Sequence, residues 1–118
     1  MSTITLYGIP NCDTVKKARA WLAEREAPVV FHDFKKQGVP DAQLNRWLPA
    51  VGWEKLVNRQ GTTWRKLPLD EQAAVRDEAS ARALMVRQPS VIKRPVVEWT
   101  DGTLTVGFSD ALFSERLR

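Results

Sequence analysis

Residues 7–19, YGIPNCDTVKKAR, decide the fold, because within them the pattern of a strand gives way to the pattern of a helix. Residues 3–7 alternate and are rich in β-branched side chains, which predicts a strand. Residues 8–11 predict a turn, and from Asp13 onward apolar side chains recur at helical spacing. The only cysteine among the 118 residues, Cys12, lies at this predicted junction between strand and helix.

The segments that follow complete a predicted sheet. Residues 29–34, VVFHDF, predict a second strand, and the order β-α-β implies a parallel pair with a right-handed crossover. Near the end of the chain, residues 95–99 and 103–108 predict two strands joined by an Asp-Gly hairpin turn. Ser109 is the expected N-cap of a terminal helix over residues 109–118. This order predicts an α/β protein with the thioredoxin-like fold and a mixed four-stranded sheet.

Residues of about 37–88 are predicted to form a helical insertion between the two halves of the sheet. One helix is expected from Pro40-Asp41 to about Leu48, with Pro49 near its end, and residues 53–58 predict a second, short helix. After a loop and a helical turn, residues 70–88 predict a helix that is interrupted near its middle. No linker or repeat divides the chain, so residues 1–118 are expected to form a single thioredoxin-like domain.

Composition argues against several classes of function. One cysteine and one histidine, His32, exclude an internal disulfide framework and make a metal centre implausible; His32 itself is interpreted as structural rather than catalytic. The formal net charge is +4, but the basic residues are scattered, which argues against a role with nucleic acid. The sequence shows neither a signal peptide nor an apolar run of about 20 residues, so we expect a cytoplasmic protein without membrane contact.

Cys12 is the first candidate for chemistry. The start of a helix presents unpaired backbone N–H groups and about half a unit of positive charge. A thiolate at this place is stabilised, and its pKa can fall from about 8.5 into the range of roughly 3.5 to 7.5. Lys16 would add positive potential, and Asn11 and Thr14 could donate hydrogen bonds to the sulfur or to a bound anion. The alternative is a structural cysteine that packs as a small hydrophobic side chain.

Two arginines are further candidates. In a thioredoxin-like fold the strand after the insertion starts beside the cysteine and opens with a proline that is commonly cis, here Pro95. Arg94 would then direct its guanidinium at the sulfur or at an oxyanion, which its planar fork can grip at two points. Arg59, beside Gly61, could reach an anion from the insertion. The alternatives are a surface arginine before an edge strand and a solvated loop arginine.

Three motifs together carry a family resemblance: YGIPNCDTVKKAR at residues 7–19, NRQGTTWRKL at 58–67 and IKRPVV at 92–97. They resemble the arsenate reductase-like branch of the thioredoxin superfamily, in particular its YffB-like group. This group is related to the arsenate reductases that depend on glutathione and glutaredoxin and to the Spx transcription regulators. The resemblance spans essentially the whole chain, with its motifs in the same order.

The resemblance implies a redox mechanism based on a thiol. In the arsenate reductases, the cysteine at the position of Cys12 attacks arsenate, glutathione displaces the adduct, and glutaredoxin resolves the mixed disulfide. The family arginine that precedes the proline corresponds to Arg94. A second family arginine corresponds to Arg59, or to the preceding position, Asn58.

The sequence departs from its relatives in two ways. The arsenate enzymes place another arginine after the last hairpin strand, whereas residues 104–112 read LTVGFSDAL and contain none. The loss of one charge-assisted hydrogen bond, worth about 1.5–3 kcal/mol, weakens the case for arsenate. Spx regulators usually carry Cys-x-x-Cys, but Val15 stands at the second cysteine position, so no intramolecular disulfide switch is available.

These observations lead to one functional hypothesis and two alternatives. The hypothesis is a glutathione-dependent monothiol reductase that uses the Cys12 thiolate and a mixed disulfide, with no bound cofactor or metal. Asn11, Thr14, Lys16, Arg59, Arg94 and Pro95 would form the anion or glutathione site. Glutathione would be the co-substrate and glutaredoxin a further partner. The alternatives are a glutaredoxin-linked arsenate reductase and a regulatory protein without enzymatic activity that contacts RNA polymerase.

Overall fold

A computed structural model describes residues 3–117 of the chain. The chain forms two compact units. Within the described residues, the first unit runs to Phe34 and resumes at Arg94, and the second is Lys35–Lys93. The first unit is therefore built from the two ends of the chain, and it contains every strand that the structure assigns to a sheet.

The elements of both units follow in chain order. The strands are β1 (Ile4–Gly8), β2 (Val29–Asp33), β3 (Val96–Glu98) and β4 (Leu104–Val106). The helices are α1 (Asp13–Glu24), α2 (Phe34–Gln37), α3 (Asp41–Val51), α4 (Trp53–Leu56), α5 (Thr62–Arg65), α6 (Leu69–Ala74), α7 (Glu78–Arg87) and α8 (Asp110–Arg116), with a 3₁₀ turn at Pro89–Val91. Within the described part of the chain, no helix has the length and apolar character needed to cross a bilayer.

The sheet has the strand order β2-β1-β3-β4. β1 lies parallel to β2 and antiparallel to β3, and β3 pairs antiparallel with β4. The predicted mixed four-stranded sheet of a thioredoxin-like fold is thereby confirmed. One bound was wrong: Gly8 belongs to β1, where it pairs with Asp33, instead of opening the following turn.

The core of the first unit lies between the sheet and the helices α1 and α8. The buried face of α1 consists of Val15, Ala18, Trp21 and Leu22. Phe113 of α8 is fully buried and meets three aromatic rings edge-on, with centroid distances of 5.6 Å to Trp21, 4.9 Å to Trp99 and 4.7 Å to Phe108. Edge-to-face pairs of this kind add to the area that each ring buries.

The ends of the hairpin and of α8 are fixed by local hydrogen bonds. β3 and β4 are shorter than the predicted strands, and the Trp99 N–H donates to the Thr103 carbonyl oxygen at 2.9 Å where the hairpin turns. Gly107 has a φ of 91°, which a residue with a side chain rarely adopts, and it follows the last residue of β4. The Ser109 hydroxyl accepts from the Leu112 N–H at 3.1 Å, which confirms Ser109 as the N-cap of α8.

The second unit is helical, as predicted for the insertion, but two helix bounds differ from the prediction. α3 continues to Val51 and contains Pro49. The proline lies in the last turn of the helix, where its missing N–H removes one backbone hydrogen bond, to a carbonyl group of the preceding, exposed turn. α2 was not predicted: Phe34 was assigned to the preceding strand but begins this helix. The side chains that the second unit buries are Leu44, Trp47, Leu48, Leu56, Val57, Ala81, Leu84, Met85, Val91 and Ile92.

The predicted interruption of residues 70–88 separates α6 from α7. Asp77 caps α7: its carboxylate accepts from the Ser80 N–H at 2.9 Å, and the Ser80 hydroxyl accepts from the Asp77 N–H at 3.1 Å. This reciprocal arrangement is a capping box. It gives α7 a start of its own, so the long helical pattern breaks here.

Candidate functional site

Cys12 is the N-cap residue of α1. Its backbone is extended, with φ −136° and ψ 123°, and its carbonyl oxygen accepts the first helical hydrogen bond, from the Lys16 N–H at 2.9 Å. The exposed residues Pro10 and Asn11 form the turn that leads into it. The side chain is partly buried and packs against the core of the first unit. The sulfur therefore lies at the start of a helix, near the protein surface, and is not sealed in the hydrophobic core.

The surroundings of Cys12 lower the pKa of its thiol below the ordinary value. Burial by itself raises the pKa, because it disfavours the charged form. The Val15 N–H, a hydrogen bond from the Arg94 side chain, the Arg94 charge and the Thr14 N–H together outweigh burial and lower the pKa. The side chain makes no close capping hydrogen bond in the structure, so these N–H groups act chiefly on the ionised sulfur, which is the stronger acceptor.

Arg94 reaches the sulfur because of the way in which β3 joins the sheet. Arg94 and Pro95 directly precede β3, and the peptide bond between them is cis, as the fold leads one to expect. The Pro95 carbonyl oxygen accepts from the Gly107 N–H at 2.8 Å, and Val96 pairs with Tyr7 near the end of β1. The start of β3 therefore lies beside the end of β1, the strand that leads to Cys12.

The other candidate residues of the first unit lie close to Cys12 in the chain. Thr14 acts on the sulfur through its backbone N–H. Asn11 and Lys16 are both exposed, in the turn and in the first turns of α1 respectively. Their contacts with a bound anion remain predictions.

Arg59 belongs to the second unit. Its guanidinium lies 5.0 Å from the centroid of the Trp53 ring, which is the geometry of a cation–π contact. The neighbouring Asn58 accepts a hydrogen bond from the Gln60 N–H through its side-chain oxygen, at 3.2 Å. The side chain of Asn58 therefore stabilises its own turn, while Arg59 is exposed. The part that Arg59 plays in the anion site remains a prediction.

His32 packs among aromatic rings. Its ring centroid lies 5.0 Å from that of Tyr7 and 5.9 Å from that of Phe34. The Tyr7 hydroxyl donates to a Glu98 carboxylate oxygen at 2.8 Å. This environment agrees with the structural interpretation of His32. Within residues 3–117, no group of three or more His, Cys, Asp or Glu side chains is arranged to hold a metal ion.

Val15 is the site residue that the sequence analysis did not identify. It had been assigned only to the apolar face of α1, which is correct for its side chain. Its backbone N–H makes the largest single contribution that lowers the pKa of Cys12, whereas Arg94 contributes both a hydrogen bond and a charge. Its position three residues after the cysteine was a usable signal, because an N-cap side chain typically accepts from the N–H two or three residues later.

Comparison with known proteins gives relatives that match along almost the whole chain. A protein of Haemophilus influenzae is 41% identical over 108 residues, which cover 91% of this chain and 92% of the relative. The global transcriptional regulator Spx of Enterococcus faecalis is 30% identical over 115 residues, covering 91% of this chain and 80% of the regulator.

Solved structures agree with this result. A YffB protein superimposes with a TM-score of 0.91 and 46% identity, covering 98% of this chain and 100% of the other. An arsenate reductase (ArsC) related protein from Brucella melitensis gives a TM-score of 0.75 and 52% identity, covering 98% and 95%. The profile of the ArsC family matches residues 7–115. The chain therefore belongs to the ArsC family, in the arsenate reductase-like branch of the thioredoxin superfamily, and this membership supports a thiol oxidoreductase.

Proposed function

We propose that this protein is a glutathione-dependent monothiol reductase whose nucleophile is the Cys12 thiolate. One observation carries the proposal: the sulfur lies at the N-cap of α1 within hydrogen-bonding reach of Arg94, and its pKa is lowered. The thiolate is the reactive form of a cysteine, so a lowered pKa raises the reactive fraction at neutral pH. The sulfur is also partly exposed, which leaves it accessible to a substrate.

The reaction consists of successive thiol–disulfide exchanges. The Cys12 thiolate attacks one sulfur of a substrate disulfide, the S–S bond breaks, and the other sulfur leaves as a thiolate that takes up a proton. A glutathione thiolate then attacks the Cys12 sulfur of this mixed disulfide. The bond between Cys12 and the substrate sulfur breaks, the second substrate thiol is released, and Cys12 is left joined to glutathione. A second glutathione thiolate releases Cys12 and forms glutathione disulfide. The two electrons that reduce the substrate thus come from two glutathione molecules.

The chain requires an external thiol for the later steps, because Cys12 is its only cysteine. Glutathione is the proposed co-substrate, and glutaredoxin is a proposed partner that can also clear the mixed disulfide. Both belong to reducing compartments, so we place the activity in the cytoplasm.

Arg94 has two proposed roles at this site. It favours the thiolate before attack, and its planar fork binds a carboxylate of glutathione or an oxyanion of another substrate. Asn11, Thr14, Lys16 and Arg59 are proposed as additional groups that bind the anion, with Pro95 shaping the start of β3.

Mass spectrometry after exposure to oxidised glutathione tests the proposal. The native protein should gain one glutathionyl group on Cys12, and reduced glutathione should remove it. The Cys12→Ser variant should gain none. Turnover of a small disulfide with glutathione should likewise require Cys12. A native protein that forms no adduct at neutral pH, although its thiol reacts with an alkylating agent, would contradict the proposed function.

Arsenate reduction is the second candidate, and membership of the ArsC family favours it. The residues that follow β4 weaken this candidate, because Gly107 and Phe108 stand where the arsenate enzymes supply a further arginine. Arsenate turnover in the presence of glutathione and glutaredoxin would establish this activity. Its absence, with disulfide turnover retained, would support the monothiol reductase.

A regulatory role is the third candidate, and the similarity to Spx favours it. The missing second cysteine removes the disulfide switch that the resemblance would imply. Binding to RNA polymerase that is unchanged by Cys12→Ser, together with an absence of turnover, would support a regulator. Thiol turnover that Cys12→Ser abolishes would support the enzyme.

A further inference from the structure

Gly8 and Val15 approach each other more closely than two residues with side chains could. Gly8 is the last residue of β1 and is buried. A Cβ atom built on Gly8 would lie 2.8 Å from Cγ2 of Val15 and 3.5 Å from its Cγ1. Real Cβ atoms do not approach a carbon to 2.8 Å, so any side chain at Gly8 would require Val15 to move.

Val15 has little freedom to move by itself. Its side chain has no exposed surface and belongs to the core cluster with Ile4, Leu6 and Ala18. A valine in a helix is held to essentially one χ1 rotamer, so it cannot turn its methyl groups aside without strain. A side chain at Gly8 would therefore displace the first turn of α1 as a whole.

This first turn also carries the backbone N–H that acts on Cys12. Val15 is the third residue after the cysteine, and its N–H is the largest single contribution among those that lower the pKa of Cys12. The strength of a hydrogen bond falls steeply with distance and angle. A displacement of Val15 therefore changes how well its N–H stabilises the ionised sulfur.

We propose that Gly8 is a positioning residue for the reactive thiol: because Gly8 lacks a side chain, α1 packs on the end of β1 at the depth that brings the Val15 N–H to the Cys12 sulfur. The role of Gly8 is thus to set the geometry of the helix start, although it touches neither sulfur nor substrate. The proposal deepens the function proposed above and rests on it only for the reaction that the thiolate performs.

The charged groups on the elements around Cys12 are the same in the native protein and in the test variants. On α1 these groups are Asp13 and Lys16, and before β3 the group is Arg94. On β2 it is Asp33, which pairs with Gly8 in the register of the sheet. A substitution of Gly8 by alanine alters none of these charges, so a change in the titration of Cys12 would report geometry.

The test is the pH profile of Cys12 alkylation by iodoacetamide in Gly8→Ala. We expect the apparent pKa to rise, so that alkylation below the pKa of the native thiol slows severalfold. The double variant Gly8→Ala/Val15→Ala removes the methyl groups that would collide, and we expect its profile to return toward the native one. Val15→Ala alone keeps the backbone N–H and supplies the reference profile against which the double variant is compared.

Two controls separate positioning from loss of stability. Phe113→Leu weakens the core at α8 and leaves Gly8 and Val15 unchanged, so it should lower the melting temperature without changing the alkylation profile. If Gly8→Ala does not fold, Val15→Ile adds bulk to the same contact from the other side and should raise the apparent pKa. A native profile in a folded Gly8→Ala or, failing that, in Val15→Ile would overturn the proposal, as would a double variant that folds without recovery. Because alkylation uses no glutathione, these results are independent of whether the protein is a glutathione-dependent reductase.

Discussion

Arg94 hydrogen-bonds the sulfur of Cys12, although the two residues lie on opposite sides of a helical segment of the sequence. They meet because β1 is a neighbour of both β2 and β3 in the sheet. The first connection from β1 carries Cys12 and α1, and Arg94 immediately precedes β3. The topology of the sheet thus brings a cation to a helix N-terminus that already favours an anion.

Arg94→Ala is expected to raise the pKa of Cys12, because it removes both a hydrogen bond and a positive charge from the sulfur. Alkylation at neutral pH should slow accordingly. Arg94→Lys should give an intermediate pKa, since a lysine keeps the charge without the planar fork. Lys16→Ala is the matched control, because it removes an exposed cation from α1 and should change the pKa less. A native alkylation profile in Arg94→Ala would remove Arg94 from the mechanism.

The stability of the protein should depend on pH through Cys12. The thiol pKa is lower in the folded state than in the unfolded chain, where it is about 8.5, so between the two values the unfolded chain binds more protons. The thiolate's contribution to stability is therefore complete above the unfolded pKa and is lost as the pH falls through the folded pKa. Urea unfolding of the native protein and of Cys12→Ser, with a reducing agent present, measures this contribution. Their difference in unfolding free energy should increase with pH across this window, and a constant difference would contradict the assigned direction of the pKa shift.

Ser109→Ala should destabilise the first unit by about 0.5–2 kcal/mol, because it removes the side-chain acceptor for the Leu112 N–H at the start of α8. Ser114→Ala is the matched control: Ser114 is an exposed residue within the same helix, where alanine is the better helix former. Urea unfolding should show a loss for the first variant and no loss for the second. Equal losses would mean that the hydroxyl of Ser109 does not act as a cap.

Phe113→Ala should lower the unfolding free energy by about 3–5 kcal/mol, because it removes a fully buried ring that meets three other aromatic rings. Phe113→Leu should cost less, since leucine fills part of the space. Thermal and urea unfolding measure both values. A loss below about 1 kcal/mol for the alanine variant would show that the neighbouring rings collapse into the space.

The sequence was most informative where the local pattern and the fold agree. Cys12 at the start of α1, the cap at Ser109 and the break before α7 all follow from capping residues, whose effect is local. The pairing of β1 with β2 follows from the β-α-β unit, and that of β3 with β4 follows from the hairpin. The end of α3 beyond Pro49 could not be predicted in the same way. A proline in the last turn of a helix is tolerated where the carbonyl group that loses its N–H partner can bind water instead, and the sequence does not show whether it can.

The site was harder to predict than the fold, because part of what lowers the pKa of Cys12 comes from a backbone group. Val15 looks like any apolar residue of a helix, and only the cap geometry of Cys12 gives its N–H a role. The approach of Gly8 to Val15 depends on the depth at which a helix packs on a strand, which no local pattern encodes. Arg94 could be identified because the fold and the dipeptide Arg-Pro pointed to the same place.

The assembly of the first unit from both ends of the chain has a consequence for biosynthesis. A ribosome delivers Cys12 before the second unit, whereas Arg94 and the two strands that follow it emerge after that unit. During translation, the nascent thiol lacks the guanidinium that favours its ionised form. The cysteine thus gains the effect of Arg94 on its pKa only after the second unit has been synthesised and β3 has joined the sheet.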